Sequence, residues 1–342
     1  LPFEFHCNNF NEQIVCKSIL IMKQIMNNCN GAFCLLVLLS AFGNVGEGIV
    51  EKKSNMPVIG ILTVDTSYRD RLFGNSTLPS SYVYMLKAAG AKIVPLLLSY
   101  DVSIHRMLFE QINGLFVPGG SVAPFEANVY KILKLYTRWA IRSNDNGDYF
   151  PIWGTCLGFE MLLLYFANGT GVLEKCDVEN ELLELTPTDH FKYSRMFRNV
   201  PYELYYKMKS EQLSPNFHHW CSNFESLKRY GLEDVFIPIT TSQSKINAIT
   251  FISAIEHVNY PFYGVAWHPE KNVFEDYKSW HLSKSDAAID LAHHLARFFV
   301  KEAMKSKHKF LPESFFQYSI SNFCPLFSKM YGLKEEEKYF FP

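Results

Sequence analysis

The sequence has no excess of charge of either sign, because 33 Lys and Arg residues face 34 Asp and Glu residues along 342 positions. A field over the whole surface that attracts nucleic acid or anionic membrane is therefore excluded, and an anionic ligand must be bound by local groups. Apolar runs of the roughly 20 residues that span a membrane are missing, as are repeats of about 20 to 50 residues. With 48% hydrophobic residues, the chain can bury one large core or two smaller ones.

An apolar run of secretory length lies near the start of the sequence, over Gly31–Ala41 (GAFCLLVLLSA). A basic residue precedes it and small residues follow it, which predicts a signal peptide cleaved between Ala41 and Gly48. Met22 is then a sensible start, and residues 1–48 are predicted to be an upstream extension with a secretory signal peptide. A buried hydrophobic helix is the alternative interpretation of this run.

Two sequons agree with export, Asn75-Ser76-Thr77 and Asn168-Gly169-Thr170, and both asparagines are candidate glycosylation sites. Four of the eight cysteines precede the expected domain, and four lie within or after it. In an oxidising compartment, Cys176, Cys221 and Cys324 could supply one disulfide. The sequence does not say which pair forms it.

From Pro57 onward, short apolar runs alternate with helical stretches, which is typical of a parallel sheet covered by helices. The predicted strands are Val58–Val64, Lys92–Leu98, Gly114–Val117, Phe150–Trp153, Ile246–Ile255 and Phe262–Trp267. The predicted helices are Ser80–Ala89, Ser103–Gln111, Val129–Arg142 and Ala287–Met304. Residues 170–260 are expected to hold antiparallel strands and loops, and Pro95 marks its strand as an edge or irregular one. The predicted fold is a single α/β domain with a doubly wound, mostly parallel sheet over 57–306, followed by a C-terminal tail at 307–342 with no clear element.

The sharpest chemical signal is the segment Phe150–Glu160, which reads FPIWGTCLGFE. An apolar strand runs there into Gly-x-Cys-x-Gly and directly into a helix, which is the pattern of a nucleophile elbow with sulfur in place of a hydroxyl. Gly154 and Gly158 are predicted to be required because backbone meets backbone in this turn. The helix N-terminus is expected to favour the thiolate of Cys156, which is the attacking species. A buried structural cysteine is the alternative.

A cysteine nucleophile needs a base, and the segment Tyr263–Lys271 (YGVAWHPEK) supplies His268 directly after a predicted strand. Glu270 follows two residues later, and Pro269 stiffens the turn, so the carboxylate can reach back and orient the imidazole. An isolated His-Pro-Glu would indicate a surface loop. Its position at the end of a late strand of the same sheet, where α/β sites lie, favours the catalytic interpretation.

A third segment, Phe116–Ser121 (FVPGGS), places two glycines after a predicted strand. The N–H of Gly120 and that of Leu157, the residue after the nucleophile, are predicted to hold the oxyanion of a tetrahedral intermediate. Gly119 is expected beside the substrate. Taken alone, a Pro-Gly-Gly turn would mean only a conformational requirement.

These segments, in this order, resemble the class I glutamine amidotransferase-type domain and, more closely, the gamma-glutamyl hydrolase family. The similarity runs from PVIGILTVD through the cysteine segment, its most specific part, to WHPEK. It implies a doubly wound α/β fold with helices on both faces of the sheet. It also implies that Cys156 is the nucleophile, His268 the general acid and base, Glu270 the third member of a triad, and His218 of the Asn-Phe-His segment a substrate-site residue.

The resemblance implies a reaction and partners as well. The expected enzyme is a cysteine hydrolase that cleaves γ-glutamyl isopeptide bonds of poly-γ-glutamates such as folylpolyglutamates through a γ-glutamyl thioester, without a metal or organic cofactor. The family is secreted or lysosomal and usually dimeric, so a homodimer in the extracellular space or lysosome is expected. Thr77 stands where family members usually carry a tyrosine near the substrate, so substrate affinity or chain-length preference is expected to differ. A glutaminase-type amidotransferase subunit and a secreted non-catalytic binding protein remain the alternatives.

Overall fold

The structure is a computed structural model that describes residues 56–168 and 171–342. The predicted extension and signal peptide over 1–48 lie outside these residues, as do Gly169 and Thr170 of the second sequon. Within the described part, none of the helices has the length and apolar character that crossing a bilayer requires.

Strands and helices alternate over the first half of the described chain. The strands are β1 (Val58–Leu62), β2 (Val64–Asp65), β3 (Ser76–Pro79), β4 (Lys92–Leu96), β5 (Gly114–Val117), β6 (Ile152–Thr155), β7 (Glu174–Leu183), β8 (Thr186–Pro187), β9 (Ser214–Cys221), β10 (Phe236–Gln243), β11 (Thr250–His257), β12 (Phe262–Val265), β13 (Leu326–Phe327) and β14 (Glu337–Phe341). The helices are α1 (Ser80–Ala88), α2 (Val102–Phe109), α3 (Asn128–Asp145), α4 (Leu157–Phe166), α5 (Tyr202–Ser210), α6 (Phe224–Arg229), α7 (Pro269–Phe274), α8 (Asp286–Ala303) and α9 (Pro312–Tyr318).

An eight-stranded sheet forms the centre of the domain, in the order β4-β1-β5-β6-β12-β11-β10-β8. The first five strands in this order pair in parallel, and the last three join antiparallel. The predicted α/β fold with a mostly parallel sheet is therefore confirmed. β4, which contains Pro95, is an edge strand of the sheet. An edge strand tolerates proline because it has a neighbour on one side only, so the missing N–H need not remove a hydrogen bond between strands.

Helices cover both faces of this sheet, because alternate residues of a buried strand point to opposite sides. In β1, Val58 and Leu62 belong to a buried cluster that includes side chains of α3 and α4. Ile59 and Ile61 belong to a second cluster that includes side chains of α1 and α8. The predicted amphipathic helix near the C-terminus is α8, whose apolar stripe is buried in this second cluster.

Two strands begin later than the sequence predicts. β6 starts at Ile152 because Pro151 has no N–H to donate to the ladder. β11 starts at Thr250 because the preceding residues form a turn, in which the Ser244 N–H donates to the Ile249 carbonyl and Ala248 takes a left-handed φ of 58°. The β6 shift places the end of the strand directly before Cys156.

The segment after Ser306 contains α9, β13 and β14, so the expectation of no clear element there is wrong. β14 pairs antiparallel with β3, and β3 with β2, in a four-stranded sheet. Thr77 lies in β3, where its hydroxyl donates to the Tyr339 carbonyl at 2.9 Å. The sequence pattern misses β14 because this strand has its partner more than two hundred residues earlier in the chain.

A separate two-stranded ribbon, β7 and β9, confirms the expected antiparallel pairing in the middle of the chain. A disulfide joins Cys176 on β7 to Cys221 on β9. Cys324 is exposed and free, so of the three pairings left open by the sequence, the structure has this one.

Candidate active site

Three neighbouring parallel strands, β5, β6 and β12, end at the same edge of the central sheet. Gly119 and Gly120 follow β5, Cys156 follows β6, and His268 follows β12. These four residues line one cleft of about 470 Å³, at the sheet edge where parallel α/β folds place their ligands. Segments that lie up to 150 positions apart in the chain therefore meet because their strands are neighbours.

Cys156 sits on a strained turn between β6 and α4, with φ 51° and ψ −108°. An L-residue with a positive φ is uncommon outside sites that require it. A Cβ on Gly158 would lie 2.3 Å from the Val117 carbonyl oxygen, and a Cβ on Gly154 would lie 2.6 Å from the backbone of Gly158. Both glycines therefore allow the close backbone contact that the sequence pattern predicts.

The imidazole of His268 and the side chain of Cys156 meet beside Gly119. The point that a Cβ of Gly119 would occupy lies 2.6 Å from His268 Cε1 and 3.3 Å from Cys156 Cβ. The separation of those two atoms is therefore no larger than the sum of the two distances. Both side chains line the same cleft, so the sulfur and the imidazole belong to one site.

Glu270 orients the imidazole from the first turn of α7. His268 Nδ1 lies 2.7 Å from Glu270 Oε1, and both side chains are buried. When Nδ1 carries the proton and donates it to this carboxylate, Nε2 is the nitrogen left to exchange a proton with the cleft. Pro269 occupies the first helical position, where its missing N–H costs no bond.

Burial is the largest influence on the Cys156 thiol and raises its pKa well above the ordinary value. An ionised Glu160 raises the pKa of the thiol further, while the hydrogen bond from the Leu157 N–H lowers it. The effect of the helix N-terminus thus has the direction that the sequence predicts, but burial outweighs it. The sulfur therefore rests as a thiol, and a thiol attacks a carbonyl only when a base takes its proton.

Glu160 is a cleft residue to which sequence reasoning assigns no role. It lies one helical turn after Cys156 on α4, it is 5% exposed, and it lines the cleft. Burial raises the pKa of Glu160 to about 8. The available signal was its place in the first turn of the helix that follows the cysteine.

The sequence predicts the Gly120 and Leu157 N–H groups as oxyanion donors, and that role stays a prediction. The Leu157 N–H points to the Cys156 sulfur, as its effect on the thiol shows. Within the described residues, the Gly120 N–H has no acceptor. The Gly119 N–H, by contrast, donates to the Tyr82 hydroxyl at 2.9 Å, so it is not free to bind a ligand.

His218 lies in the cleft wall on β9 and is 3% exposed. Its Nε2 lies 3.2 Å from Asn216 Oδ1 and its Nδ1 lies 3.1 Å from the Trp220 carbonyl. Burial lowers the pKa of His218 to about 3, which keeps the imidazole neutral. Its Nδ1 also lies near the sulfurs of Cys176 and Cys221, but these sulfurs are bonded to each other and are not available to a metal.

The C-terminal segment completes the cleft wall. No local sequence pattern indicates that this segment lies beside the cleft. Lys338 Nζ lies 3.0 Å from Asp70 Oδ2 and 2.6 Å from Glu335 Oε2. Lys271 Nζ lies 3.8 Å from the other oxygen of Glu335. All four side chains line the cleft, as does the exposed Lys334. An alternating network of charges therefore connects the C-terminal strand to the cleft at the carboxyl edge of the sheet.

The fold and cleft define an α/β enzyme with a cysteine at the carboxyl edge of its sheet. The profile of the peptidase C26 family matches residues 57–270, and the chain belongs to this family. The family makes the chain a hydrolase.

Three curated relatives match between 75% and 86% of this chain. Gamma-glutamyl hydrolase of Rattus norvegicus is 35% identical over 297 residues, which are 86% of this chain and 92% of the relative. Gamma-glutamyl hydrolase of Homo sapiens is 38% identical over 261 residues, or 75% of this chain and 81% of the relative. Gamma-glutamyl hydrolase B of Dictyostelium discoideum is 32% identical, with 86% of each chain covered. The predicted membership in the gamma-glutamyl hydrolase family is therefore confirmed.

Proposed function

We propose that this enzyme hydrolyses γ-glutamyl isopeptide bonds of poly-γ-glutamates, such as folylpolyglutamates, with Cys156 as nucleophile. The relatives named as gamma-glutamyl hydrolases support the class of bond. The observation that carries the mechanism is that Cys156 and His268 line one cleft, with the buried Glu270 carboxylate 2.7 Å from His268 Nδ1. Gly120 lines the same cleft, and the Leu157 N–H contacts the Cys156 sulfur.

The first half of the reaction forms a thioester. As the sulfur of Cys156 attacks the γ-carbonyl carbon, its proton passes to His268, and the carbonyl oxygen becomes an oxyanion. The two backbone N–H groups stabilise this charge, an effect worth roughly 3 to 4 kcal/mol of the barrier for a single donor. His268 then protonates the leaving amine, the carbon–nitrogen bond breaks, and the γ-glutamyl group stays on the sulfur.

Water completes the reaction. His268 takes a proton from the water that attacks the thioester carbon, and the sulfur leaves as the product γ-carboxyl group forms. The proton returns to the sulfur, which restores the thiol that burial favours. Glu270 stabilises the charged imidazole in both halves through its bond to Nδ1.

Replacing the nucleophile tests this proposal. Cys156→Ala is expected to abolish glutamate release from a synthetic pteroyl poly-γ-glutamate, measured by product chromatography, without lowering the melting temperature. Cys324→Ala, which removes the exposed free cysteine, is the matched control and should keep full activity. Hydrolysis retained by Cys156→Ala would contradict the mechanism.

The same preparation separates the alternatives. Ammonia release from free glutamine, without cleavage of the γ-linked polyglutamate, would indicate a glutaminase instead. Wild-type protein whose Cys156 reacts with a thiol reagent but which hydrolyses neither compound would indicate a binding protein.

We also propose a secreted or lysosomal location. The Cys176–Cys221 disulfide supports an oxidising route, and Asn75 and Asn168 are exposed, as glycan attachment requires. Removal of N-glycans from protein secreted by eukaryotic cells should therefore lower its apparent mass. The homodimer is proposed from the family resemblance, and light scattering of the purified protein tests it.

A further inference from the structure

A buried tyrosine hydroxyl lies between the glycine loop and the catalytic histidine. Tyr82, on α1, is 1% exposed. Its hydroxyl oxygen accepts the Gly119 N–H at 2.9 Å and lies 3.1 Å from His268 Nδ1. One oxygen atom thus contacts the loop after β5 and the imidazole after β12.

The geometry leaves this oxygen a supporting contact with the imidazole. His268 Nδ1 is closer to Glu270 Oε1, at 2.7 Å, so the stronger of its two hydrogen bonds is the one to the carboxylate. When Nδ1 carries the proton, the Tyr82 oxygen is a second acceptor beside the same donor, and this contact opposes rotation of the ring away from Glu270. Burial raises the pKa of Tyr82 well above its ordinary value, and the charge of Glu270 raises it further, so the hydroxyl keeps its proton.

The space around Gly119 shows how closely these groups fit. A Cβ at this position would lie 2.8 Å from the Tyr82 hydroxyl and 2.6 Å from His268 Cε1. The absent side chain lets the hydroxyl reach the Gly119 N–H. With that N–H occupied, the Gly120 N–H, which has no acceptor among the described residues, is the unpaired donor of the two glycines.

We propose that Tyr82 is a positioning residue that fixes the His268 imidazole toward Cys156 and holds the Pro118–Gly120 loop so that the Gly120 N–H faces the cleft. The hydroxyl touches neither substrate nor sulfur in this role, and it acts through the histidine and the loop. The inference rests on the proposed function for the identity of the substrate, but the arrangement of Tyr82, His268 and Cys156 can be tested without any substrate.

Tyr82→Phe tests the proposal, with Tyr136→Phe as the matched control. Tyr136 is equally buried and also uses its hydroxyl, 3.2 Å from His105 Nδ1, but it does not line the cleft. We expect kcat of Tyr82→Phe to fall at least tenfold with KM changed less than about threefold, while Tyr136→Phe keeps its kcat. The melting temperatures of the two variants should fall by similar amounts, because each loses one buried hydroxyl.

A second measurement uses carbamidomethylation of Cys156 by iodoacetamide as a function of pH. The midpoint of this reaction should move to higher pH in Tyr82→Phe, because an imidazole that is free to turn accepts the thiol proton less readily. Tyr136→Phe should keep the wild-type midpoint. An unchanged midpoint in Tyr82→Phe, even with a lower melting temperature, would overturn the proposal, as would an equal shift in both variants. Absence of hydrolysis by the wild type would instead count against the proposed function, and the alkylation profile would still decide the role of Tyr82.

Discussion

Replacing Glu160 by Gln is expected to stabilise the protein at neutral pH and not at acidic pH. Burial raises the pKa of Glu160 from an ordinary 4.5 to about 8. Between these two values the unfolded chain releases the proton and the folded chain keeps it. The folded state therefore binds more protons than the unfolded state, and the free energy of unfolding falls as pH rises through this window.

The size of the effect follows from the width of the window. Each pH unit between the two pKa values lowers the free energy of unfolding by about 1.4 kcal/mol. Through this one group, the free energy of unfolding of the wild type therefore falls by on the order of 3 kcal/mol between pH 4.5 and pH 7. Glutamine has a similar shape and no proton to release, so Glu160→Gln does not suffer this loss. Its advantage over the wild type should appear above pH 4.5 and grow up to about pH 8.

Urea unfolding at pH 4.5, 6, 7 and 8 measures the difference. Glu313→Gln, on the exposed surface of α9, controls for removal of a carboxyl in general. A difference between Glu160→Gln and wild type that stays constant from pH 4.5 to pH 8 would refute the reasoning. It would mean that Glu160 titrates alike in the folded and unfolded chain, through water that enters the cleft.

Two further predictions concern the turn and the ribbon. Gly158→Ala should lower the free energy of unfolding by about 3 kcal/mol or more, because its Cβ would meet the Val117 carbonyl, which cannot move away as a side chain could. Gly231 is the control, because it has a φ of +67° but open space around it. Gly231→Ala should lower the free energy of unfolding by only about 1 kcal/mol. Equal losses for Gly158→Ala and Gly231→Ala in urea titrations would contradict this explanation. The double variant Cys176→Ala/Cys221→Ala should lose about 4 kcal/mol, since the disulfide spans 45 residues. The double variant should have the free energy of unfolding of wild type whose disulfide has been reduced. A free energy equal to that of untreated wild type would count against a formed disulfide.

The central sheet and the cysteine turn could be predicted from the sequence because both depend on residues that are close together in the sequence. Strand β5 has the predicted bounds Gly114–Val117, and α8 is displaced from its predicted bounds by one residue at each end. The glycines around Cys156 stand at positions where the backbone itself makes the contact. A periodic pattern of apolar residues and a required glycine each depend on only a few neighbouring positions. They can therefore be interpreted without knowledge of the tertiary fold.

The C-terminal strand and the charges beside it could not be predicted in this way. β14 pairs with β3 across the chain, and its Lys338 meets Asp70 only because of that pairing. Nothing within either segment specifies the partner. The role proposed for Tyr82 is hidden for the same reason, since its hydroxyl meets two loops that follow other strands.

Burial explains why the sequence predicts the position of Cys156, the proposed nucleophile, better than its ionisation. The turn that presents Cys156 depends on a few neighbouring residues, and the Leu157 N–H lowers the pKa of the thiol as a helix N-terminus should. The larger effect is desolvation, and it depends on every element that covers the sulfur. A cysteine that is kept as a thiol by burial becomes reactive only when an imidazole stands ready to take its proton. The orientation of His268 by Glu270, and by Tyr82 as proposed here, therefore matters more to this site than it would to a cysteine that rests as a thiolate.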